Sequence, residues 1–387
     1  MPTFRVTFPW RPRRAASALT CLVAVSCVAE PPRRLDAPKA TFSAPPSLPD
    51  KNTPAASAKT SAVVLVVLDG VRWQEIFQGV DPVLAKAAGL RPEEVVDARH
   101  LMPVLHDRLE AHGVAVGAPG YGPEMRATGP NYVSLPGYNE ILGGRTATRC
   151  ADNECPQARE PTVADELARL DLERPHDAAV ISSWESIERA ASSGGPNVVI
   201  SAGRHHGRNL DGMRSNETDR ALLEQGERAE SAPGEADFRP DRFTGEIALR
   251  YLERESPRFL FLGLGEPDEY AHQGNYRGYL ASLRAADDTL GRLAATLGEM
   301  GERGRRTSVF VTTDHGRSSA FRDHGGHAPE SGRVWLVASG GGIPETGSVR
   351  SYEPHRLADI APTMRALIGL APDDGEAAGK AIAGLLP

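Results

Sequence analysis

The sequence has only four cysteines among its 387 residues, and two of them, Cys21 and Cys27, fall in an apolar segment near the N-terminus. A cysteine-rich zinc knuckle needs more cysteines than the remaining two, Cys150 and Cys155. There is no excess of positive charge either: the net charge is −7 at pH 7, which argues against a nucleic-acid-binding protein. The apolar run Ala15–Val28 is too short for a comfortable transmembrane helix, and we find no internal repeat.

Four arginines precede that apolar run, an arrangement typical of a secretory signal peptide. We predict a signal peptide over residues 1–27, a disordered linker rich in Pro, Ala and Ser over 28–60, and one folded domain over 61–387. The segment Ala24-Val-Ser-Cys27 resembles a lipobox, so Cys27 is a possible lipidation site and membrane tether. An ordinary cleaved signal peptide is the alternative. In both cases we expect the protein to be exported. It would then be periplasmic, anchored to the outer membrane of a bacterial envelope, or secreted.

In an exported protein, the pair Cys150 and Cys155 is expected to form a short-loop disulfide. Such a bond would fix the shape of the chain around Asn153, which lies between the two cysteines.

Apolar strand-like runs alternate with amphipathic helical patterns from residue 61 onward. This alternation predicts an α/β fold with a mostly parallel central sheet and helices on both faces. The predicted strands are Ala62–Leu68, Val114–Val116, Ala178–Ser182, Asn197–Ser201, Phe259–Leu264, Ser308–Thr313 and Val334–Ala338. The predicted helices include Pro103–His112, Val163–Leu170, Arg242–Leu252, Tyr276–Leu297 and Leu357–Leu367. We interpret the polar segment Gly203–Pro240 as a surface excursion with a short helix.

Three of the predicted strands end in acidic residues or histidines. Asp69 follows the first strand, Asp268 and His272 follow Phe259–Leu264, and Asp314 and His315 follow Ser308–Thr313. Each feature alone has an ordinary explanation, such as a turn, a helix cap or a solvated histidine. Together they would project from one edge of a parallel sheet, which is where functional groups gather in this fold class. Asp and His are ligands that suit Zn²⁺ and similar divalent ions.

A metal-activated nucleophile could come from the segment MRATGPNYVSLPGYNEILGGR. Its hydroxyl candidates are Thr128, Tyr132 and Ser134. We prefer Thr128, because the following Gly-Pro makes a tight turn that could expose it at a helix N-terminus, where anions are favoured. The alternative is that Thr128 only caps this helix.

Five segments in order, VLVVLDGVRWQEIF, ATGPNYVSLPG, LGEPDEYAH, VFVTTDHG and RDHGGHAP, resemble the alkaline phosphatase superfamily. The strongest likeness is to its nucleotide pyrophosphatase/phosphodiesterase-like branch and to related sulfatase-like bacterial proteins. The tail LADIAPTMRALIGL also resembles a helix common near the C-terminus of this superfamily. The resemblance spans Ala62 to about Leu386 and implies an alkaline phosphatase-like three-layer sandwich, with residues 61–387 as the catalytic domain.

The resemblance implies a role for each matching residue. Two divalent ions, expected to be Zn²⁺, would be bound, and Thr128 would be both the nucleophile and a metal ligand. Asn153 matches by spacing an asparagine that binds a phosphate oxygen, and the neighbouring Arg149 could add positive charge. The implied metal ligands are Asp69, Thr128, Asp268, His272, Asp314, His315 and His324, with His327 as the alternative to His324.

The function implied is cleavage of phosphate esters, in particular phosphodiesters or nucleotide pyrophosphates, through a covalent phospho-threonine. The expected partner is a small phosphate ester or nucleotide-like substrate. A threonine cannot become formylglycine, and the sequence lacks Cys-x-Pro-x-Arg, which argues against a typical sulfatase. Alternatives are a phosphomonoesterase, a sulfate or phosphonate ester hydrolase, and a non-catalytic exported metal-binding module. His205 and His206 could contact substrate or be solvated on a loop.

Overall fold

A computed structural model describes residues 60–387 except 147–148, 171, 196, 349, 374 and 376. The predicted signal peptide, most of the linker and the possible lipidation site at Cys27 lie outside the described residues and stay predictions. Within the described part, no helix combines the length and apolar character needed to cross a bilayer.

The centre of the molecule is a nine-stranded sheet in the order β11-β2-β10-β8-β1-β7-β4-β5-β6, and a two-stranded sheet pairs β3 with β9. The five strands from β8 to β5 are all parallel, whereas β10 and β6 run antiparallel to their neighbours. The strands are β1 (Ala62–Leu68), β2 (Gly113–Val116), β3 (Met125–Arg126), β4 (Ala178–Ser182), β5 (Val199–Ala202), β6 (His206–Arg208), β7 (Phe259–Leu264), β8 (Thr307–Thr312), β9 (Arg333–Val334), β10 (Leu336–Gly340) and β11 (Gly347–Ser348).

Helices cover both faces of the large sheet. The α-helices are α1 (Trp73–Phe77), α2 (Pro82–Ala87), α3 (Ala98–Leu101), α4 (Ser134–Gly143), α5 (Val163–Leu170), α6 (Glu188–Ala191), α7 (Asp211–Ser215), α8 (Glu217–Arg228), α9 (Asp241–Glu255), α10 (Glu266–His272), α11 (Tyr276–Glu299), α12 (Glu302–Arg305) and α13 (Ile360–Ile368). A π-helix covers Leu105–Leu109, and 3₁₀ turns cover Pro92–Glu94, Glu110–His112, Glu185–Ile187, Pro329–Gly332, Leu357–Asp359 and Ala383–Leu385.

Strand β1 shows why the sheet is buried on both sides. All seven of its residues are buried, and alternate side chains enter two different apolar clusters. Val64, Val66 and Leu68 pack in one cluster, and Val63, Leu65 and Val67 in the other. Successive side chains of a strand point to opposite faces, so an unbroken apolar strand requires a cover on each face. The predicted α/β fold class is therefore confirmed.

Thr128 was expected at the N-terminus of a helix. Helix α4 instead begins six residues later, at Ser134. Pro136 explains this start, because proline lacks a backbone N–H and is tolerated only in the first turn of a helix. The preceding residues do not extend the helix: Val133 has extended backbone angles. Ser134, rather than Thr128, therefore stands at the N-terminus of this helix.

Candidate metal centre

Asp69 leaves the end of β1 at the edge where the parallel strands finish, and it is buried. The next residue, Gly70, has a φ of +63°, which favours glycine. A Cβ atom at Gly70 would lie 2.1 Å from Oδ1 of Asp268, so only glycine allows these two strand ends to approach so closely. The Tyr138 hydroxyl, on the next turn of α4 from Ser134, donates to Asp69 Oδ2 at 2.8 Å.

Asp314 and His315 follow β8 and are completely buried. Asp314 Oδ1 accepts a hydrogen bond from the Gly70 amide at 3.1 Å, whereas its Oδ2 is buried without a hydrogen-bond partner among the described residues. His315 Nε2 lies 3.5 Å from Asp69 Oδ1 and 3.5 Å from Asp314 Oδ2. Its Nδ1 lies 2.8 Å from the Gly316 carbonyl oxygen, which assigns the proton to Nδ1 and leaves the Nε2 lone pair facing the carboxylates.

Asp268 and His272 lie one turn apart on α10, directly after β7, with His272 Nε2 3.0 Å from Asp268 Oδ2. His324 Nε2 is 3.1 Å from His272 Nε2, and its Nδ1 lies 3.0 Å from the Tyr132 carbonyl oxygen. His324 is thus oriented as His315 is, with Nε2 toward the acidic residues. By contrast, His327, the alternative ligand, is exposed.

Two groups of side chains have the composition of cation sites. One contains Asp69, Asp314 and His315, the other Asp268, His315 and His324, and the ligand atoms within each group lie within 4.8 Å of one another. The distances of His272 place it beside the second group. The unpartnered Asp314 Oδ2 is the kind of buried acceptor that a bound cation satisfies. These residues therefore fit divalent metal ions.

The electrostatics of the cluster lead to the same conclusion. Burial, reinforced by the charges of Asp314 and Asp268, raises the pKa of Asp69 well above its usual range, and burial raises the pKa of Asp314 to about 7. Burial lowers the pKa of His315 to about 4 and that of His324 to about 3, so both imidazoles are neutral, as ligands must be. Carboxylates crowded in this way remain ionised together only beside positive charge.

Arg317 supplies one such charge. Its side chain is fully buried and pairs with Asp268, while Nε and Nη2 donate to the carbonyl oxygens of Phe321 at 2.6 Å and Arg322 at 2.5 Å. Although burial acts to raise the pKa of Asp268, the charge of Arg317 holds it well below its usual range. Arg317 therefore connects Asp268 to the loop that carries His324.

Ser134 is the hydroxyl that the structure brings to the cluster. It is buried, and its Oγ lies 3.2 Å from His315 Nε2 and 3.4 Å from Asp69 Oδ1. Helix α4 reaches this position because Gly137 packs against the backbone of Asp314: a Cβ there would lie 2.4 Å from the Asp314 carbonyl oxygen.

The structure does not bring Thr128 to these residues. Its amide and hydroxyl both donate to Glu140, the hydroxyl at 3.0 Å, and it is absent from the residues that line the cavity beside the cluster. The geometry therefore does not support Thr128 as nucleophile or metal ligand. It supports Ser134, which the sequence had made the less favoured candidate.

Asn153 lies beside Ser134 in the wall of the cavity. Its Oδ1 accepts from the Leu135 amide at 2.9 Å, and its side chain lines the same cavity as Ser134. Cys150 and Cys155 form the predicted disulfide around it. Arg149 lines a different cavity, and His205 and His206 are exposed beside Asp237, not at the cluster.

The cavity has a volume of about 120 Å³ and contains wall residues that the sequence did not point to: Trp184, Phe238, Gly265 and Glu269. Burial, followed by the charge of Asp268, raises the pKa of Glu269 to about 7. Tyr138 and Arg317 were also not anticipated. Their sequence signals are positional only: Tyr138 is four residues after Ser134, and Arg317 directly follows Asp314-His-Gly316.

The chain was compared with sequence-family models, with curated proteins and with solved structures. The sequence model of the Metalloenzyme superfamily matches residues 224–372, which include Asp268, His272, Asp314, His315 and His324. A 2,3-bisphosphoglycerate-independent phosphoglycerate mutase of Haloarcula marismortui is 26% identical over 141 residues, covering 35% of this chain. The match spans about a quarter of the mutase, 26% of its length.

Solved structures extend the similarity to the whole fold. An alkaline phosphatase mutant, PafA, superposes with a TM-score of 0.54 at 12% identity, covering 85% of this chain and 99% of that one. The phosphonate monoester hydrolase of Agrobacterium radiobacter superposes with a TM-score of 0.51 at 17% identity, covering 84% and 77%. These findings confirm the predicted resemblance: the chain has the fold of the alkaline phosphatase superfamily, and residues 224–372 match the Metalloenzyme superfamily.

Proposed function

We propose that the protein is a divalent-metal-dependent hydrolase of phosphate esters, acting on phosphodiesters or nucleotide pyrophosphates, with Ser134 as the nucleophile. The observation that carries this proposal is the position of the Ser134 hydroxyl, within 3.5 Å of both Asp69 and His315 at the N-terminus of α4. A helix N-terminus favours a negatively charged group, which a phosphate ester provides.

Asp69, Asp314 and His315 would hold one ion, and Asp268, His272 and His324 the other. Such ions, expected to be Zn²⁺, supply Lewis acidity and lower the pKa of a coordinated hydroxyl. The chain itself positions the reacting groups. Ser134 Oγ would lose its proton and form a bond to phosphorus as the bond from phosphorus to the leaving oxygen breaks. The leaving group, an alcohol from a diester or a phosphate from a pyrophosphate, would depart with a proton, and water would then hydrolyse the phosphoserine to regenerate Ser134 and release the phosphoryl product.

Asn153 is suited to bind a phosphoryl oxygen in this reaction. Because its Oδ1 already accepts from Leu135, its amide Nδ2 remains to donate into the cavity. A donor directed at the phosphoryl group stabilises charge that increases in the transition state.

Two features favour phosphodiesters over related substrates. None of the residues that line the cavity is a lysine or arginine, so a doubly charged monoester would find less compensation than a singly charged diester. The segment Ser134-Leu-Pro-Gly-Tyr138 has tyrosine at the position that corresponds to the arginine of the sulfatase motif, which disfavours sulfate esters.

A panel of p-nitrophenyl esters tests the proposal: a phosphomonoester, the bis-p-nitrophenyl diester, a phosphonate and a sulfate, with metal content measured on the same sample. We expect the diester to give the highest kcat/KM, two divalent ions per chain, and loss of activity with a chelator that returns when metal is added back. Faster cleavage of the sulfate or the monoester would overturn the substrate assignment. Bound metal with no turnover would support the non-catalytic alternative.

A further inference from the structure

Phe321, in the loop between His315 and His324, has a backbone conformation that is unusual for a bulky residue. Its φ is +73°, in the left-handed region that glycine adopts readily and aromatic residues rarely do. The side chain is nevertheless buried, with an exposed fraction of only 3%. A strained conformation of this kind persists only where surrounding contacts hold it, and such strain is concentrated at functional sites. The contacts of Phe321 therefore indicate what the strain maintains.

The Phe321 ring lies in an aromatic slot formed by Tyr276, Tyr279 and Arg72. Both tyrosine rings, at the start of α11, meet it nearly perpendicularly, at interplanar angles of 89° and 82° and with each centroid 5.1 Å away. The central carbon of the Arg72 guanidinium lies over the ring, 5.8 Å from its centroid. Perpendicular aromatic pairs and a cation above a ring are both attractive arrangements, and burial strengthens the second. These contacts offset the backbone strain at Phe321.

Hydrogen bonds fix the walls of the aromatic slot to the chain that follows β1. The Tyr276 hydroxyl donates to Glu75 Oε1 at 2.8 Å and accepts from the Asp81 amide at 2.8 Å. The Tyr279 hydroxyl accepts from the Arg72 amide at 3.1 Å, and the Arg72 side chain is paired with Glu75. The slot therefore joins two parts of the chain that each continue from a ligand-bearing segment, namely the chain after β1 and the start of α11.

The loop on either side of Phe321 is connected to the second group of metal ligands. Arg317 Nε donates to the Phe321 carbonyl oxygen at 2.6 Å, while another nitrogen of the same guanidinium pairs with Asp268. His324 follows Phe321 by three residues, and its Nδ1 lies 3.0 Å from the Tyr132 carbonyl oxygen. Moving the Phe321 ring out of the aromatic slot would therefore shift both the Arg317 contact to Asp268 and the position of His324.

We propose that Phe321 is a positioning residue of the metal centre, whose ring in the aromatic slot holds the loop so that Asp268 and His324 can share one ion. This inference rests on the metal-dependent function proposed above and names a residue that sets the affinity of one of its two ions. The other ion depends less on Phe321, because its ligands directly follow the ends of β1 and β8. Residues that orient metal ligands typically change metal affinity about 10–100-fold.

Titration of the metal-free protein with Zn²⁺, in competition with a chromophoric chelator, measures the affinity of each ion. We expect Phe321→Ala to bind one ion about tenfold or more weakly, and to bind the other within about threefold of the wild type. Phe321→Leu, which keeps apolar bulk in the aromatic slot, should lie between the two proteins. Phe321→Gly separates the ring from the backbone, because glycine accepts this φ without strain. Normal binding by that variant would show that the ring is dispensable and would overturn the inference.

His324→Ala identifies the ion on which Phe321 acts. This variant should retain one tightly bound ion, and adding Phe321→Ala to it should leave the affinity of that ion unchanged. A further loss in the double variant would overturn the inference, since Phe321 would then act on both ions alike.

Phe259→Ala is the matched control. Phe259 is also buried, at the first residue of β7 and therefore at the opposite end of the strand from the one that leads to Asp268. The variant should lose stability and keep both metal affinities. If it weakens the same ion as much as Phe321→Ala does, the effect is general destabilisation and the inference is overturned.

Because the titration involves no turnover, it separates this inference from the proposed function. If both ions bind but no ester is cleaved, the hydrolase function fails and the inference is decided by the titration alone. If the wild type and Phe321→Ala bind both ions equally well, or if the wild type binds fewer than two, the inference is overturned. Should Phe321→Ala fail to fold, Phe321→Leu takes its place, and affinities equal to those of the wild type would have the same meaning.

Discussion

The Tyr138 ring is completely buried, and its hydroxyl donates a hydrogen bond to Asp69 Oδ2 that orients the Asp69 carboxylate. Without that hydroxyl, Asp69 Oδ2 would lose its hydrogen bond in a buried setting, which costs about 1–3 kcal/mol. Groups that orient metal ligands typically affect metal affinity about 10–100-fold. Tyr138→Phe should therefore weaken binding of one of the two ions about tenfold, as measured by titration of the metal-free protein.

Tyr251→Phe is the matched control for this change. Tyr251 is equally buried, and its hydroxyl donates to the His176 carbonyl oxygen at 2.8 Å rather than to a residue of the cluster. It should lose stability but bind both ions normally. Equal metal affinity in the two variants would show that Tyr138 does not orient Asp69.

The sequence alone does not determine whether Ser134 or Thr128 lies at the metal cluster. Both hydroxyls lie in one short segment, and the Gly-Pro after Thr128 is a plausible turn. What decides between them is long-range: Gly137 packing on Asp314 brings Ser134 to the cluster, while Glu140 binds Thr128. No local pattern contains either contact. The ligand candidates after β1, β7 and β8 could be predicted, because strand ends and residue types are local features.

At the scale of elements, helix α4 holds the preceding segment through one buried carboxyl group. Glu140 accepts from the Thr128 amide and hydroxyl, and burial raises its pKa to about 7 from a usual value of 4.5. A folded-state pKa above the unfolded one means that the folded protein holds the proton more tightly. The stabilisation is fully present below pH 4.5 and is lost as the pH rises through about 7.

The size of this effect follows from the shift in the pKa of Glu140. Raising the pH from 5 to 8 should cost the wild type up to about 3 kcal/mol of unfolding free energy that Glu140→Gln does not lose. Denaturant unfolding at both pH values measures the difference between the two proteins, so pH effects shared by other groups cancel. Glu217→Gln, an exposed carboxylate on α8, should behave like the wild type. If the unfolding free energies of the wild type and Glu140→Gln change equally between pH 5 and pH 8, the raised pKa of Glu140 does not contribute to stability.

Continuous apolar strands and one strongly amphipathic helix were predictable to the residue, and elements set by tertiary contacts were not. Strands Ala62–Leu68, Ala178–Ser182 and Phe259–Leu264 and helix Val163–Leu170 have the predicted bounds. The predicted helix Pro103–His112 is instead a π-helix followed by a 3₁₀ turn. There, the Asp287 carboxylate of α11 accepts from the Val104 and Leu105 amides, a contact made across 182 residues or more.

At the scale of the whole molecule, parallel strands collect at one edge residues that are distant in sequence. Asp69 and Asp314 are 245 positions apart, yet the Gly70 amide donates to Asp314 because β1 pairs directly with β8. The sheet order makes this possible: β7, β1 and β8 are neighbours, and their ends carry all the acidic residues of the cluster. The alternation of strands and helices predicted this edge. It did not predict that β10 would pair antiparallel with both β8 and β2.

The central claim is that Ser134, held at this edge, is the nucleophile of a metal-dependent phosphate ester hydrolase. The most direct measurement compares Ser134→Ala with Thr128→Ala, recording kcat for bis-p-nitrophenyl phosphate and the metal content of each. Losing the nucleophile should raise the barrier by about 4 kcal/mol or more, roughly a thousandfold in rate. We predict that loss for Ser134→Ala with both ions retained, and near-normal turnover for Thr128→Ala. Near-normal turnover in Ser134→Ala, with Thr128→Ala inactive and still loaded with metal, would contradict the claim and restore Thr128 as the nucleophile.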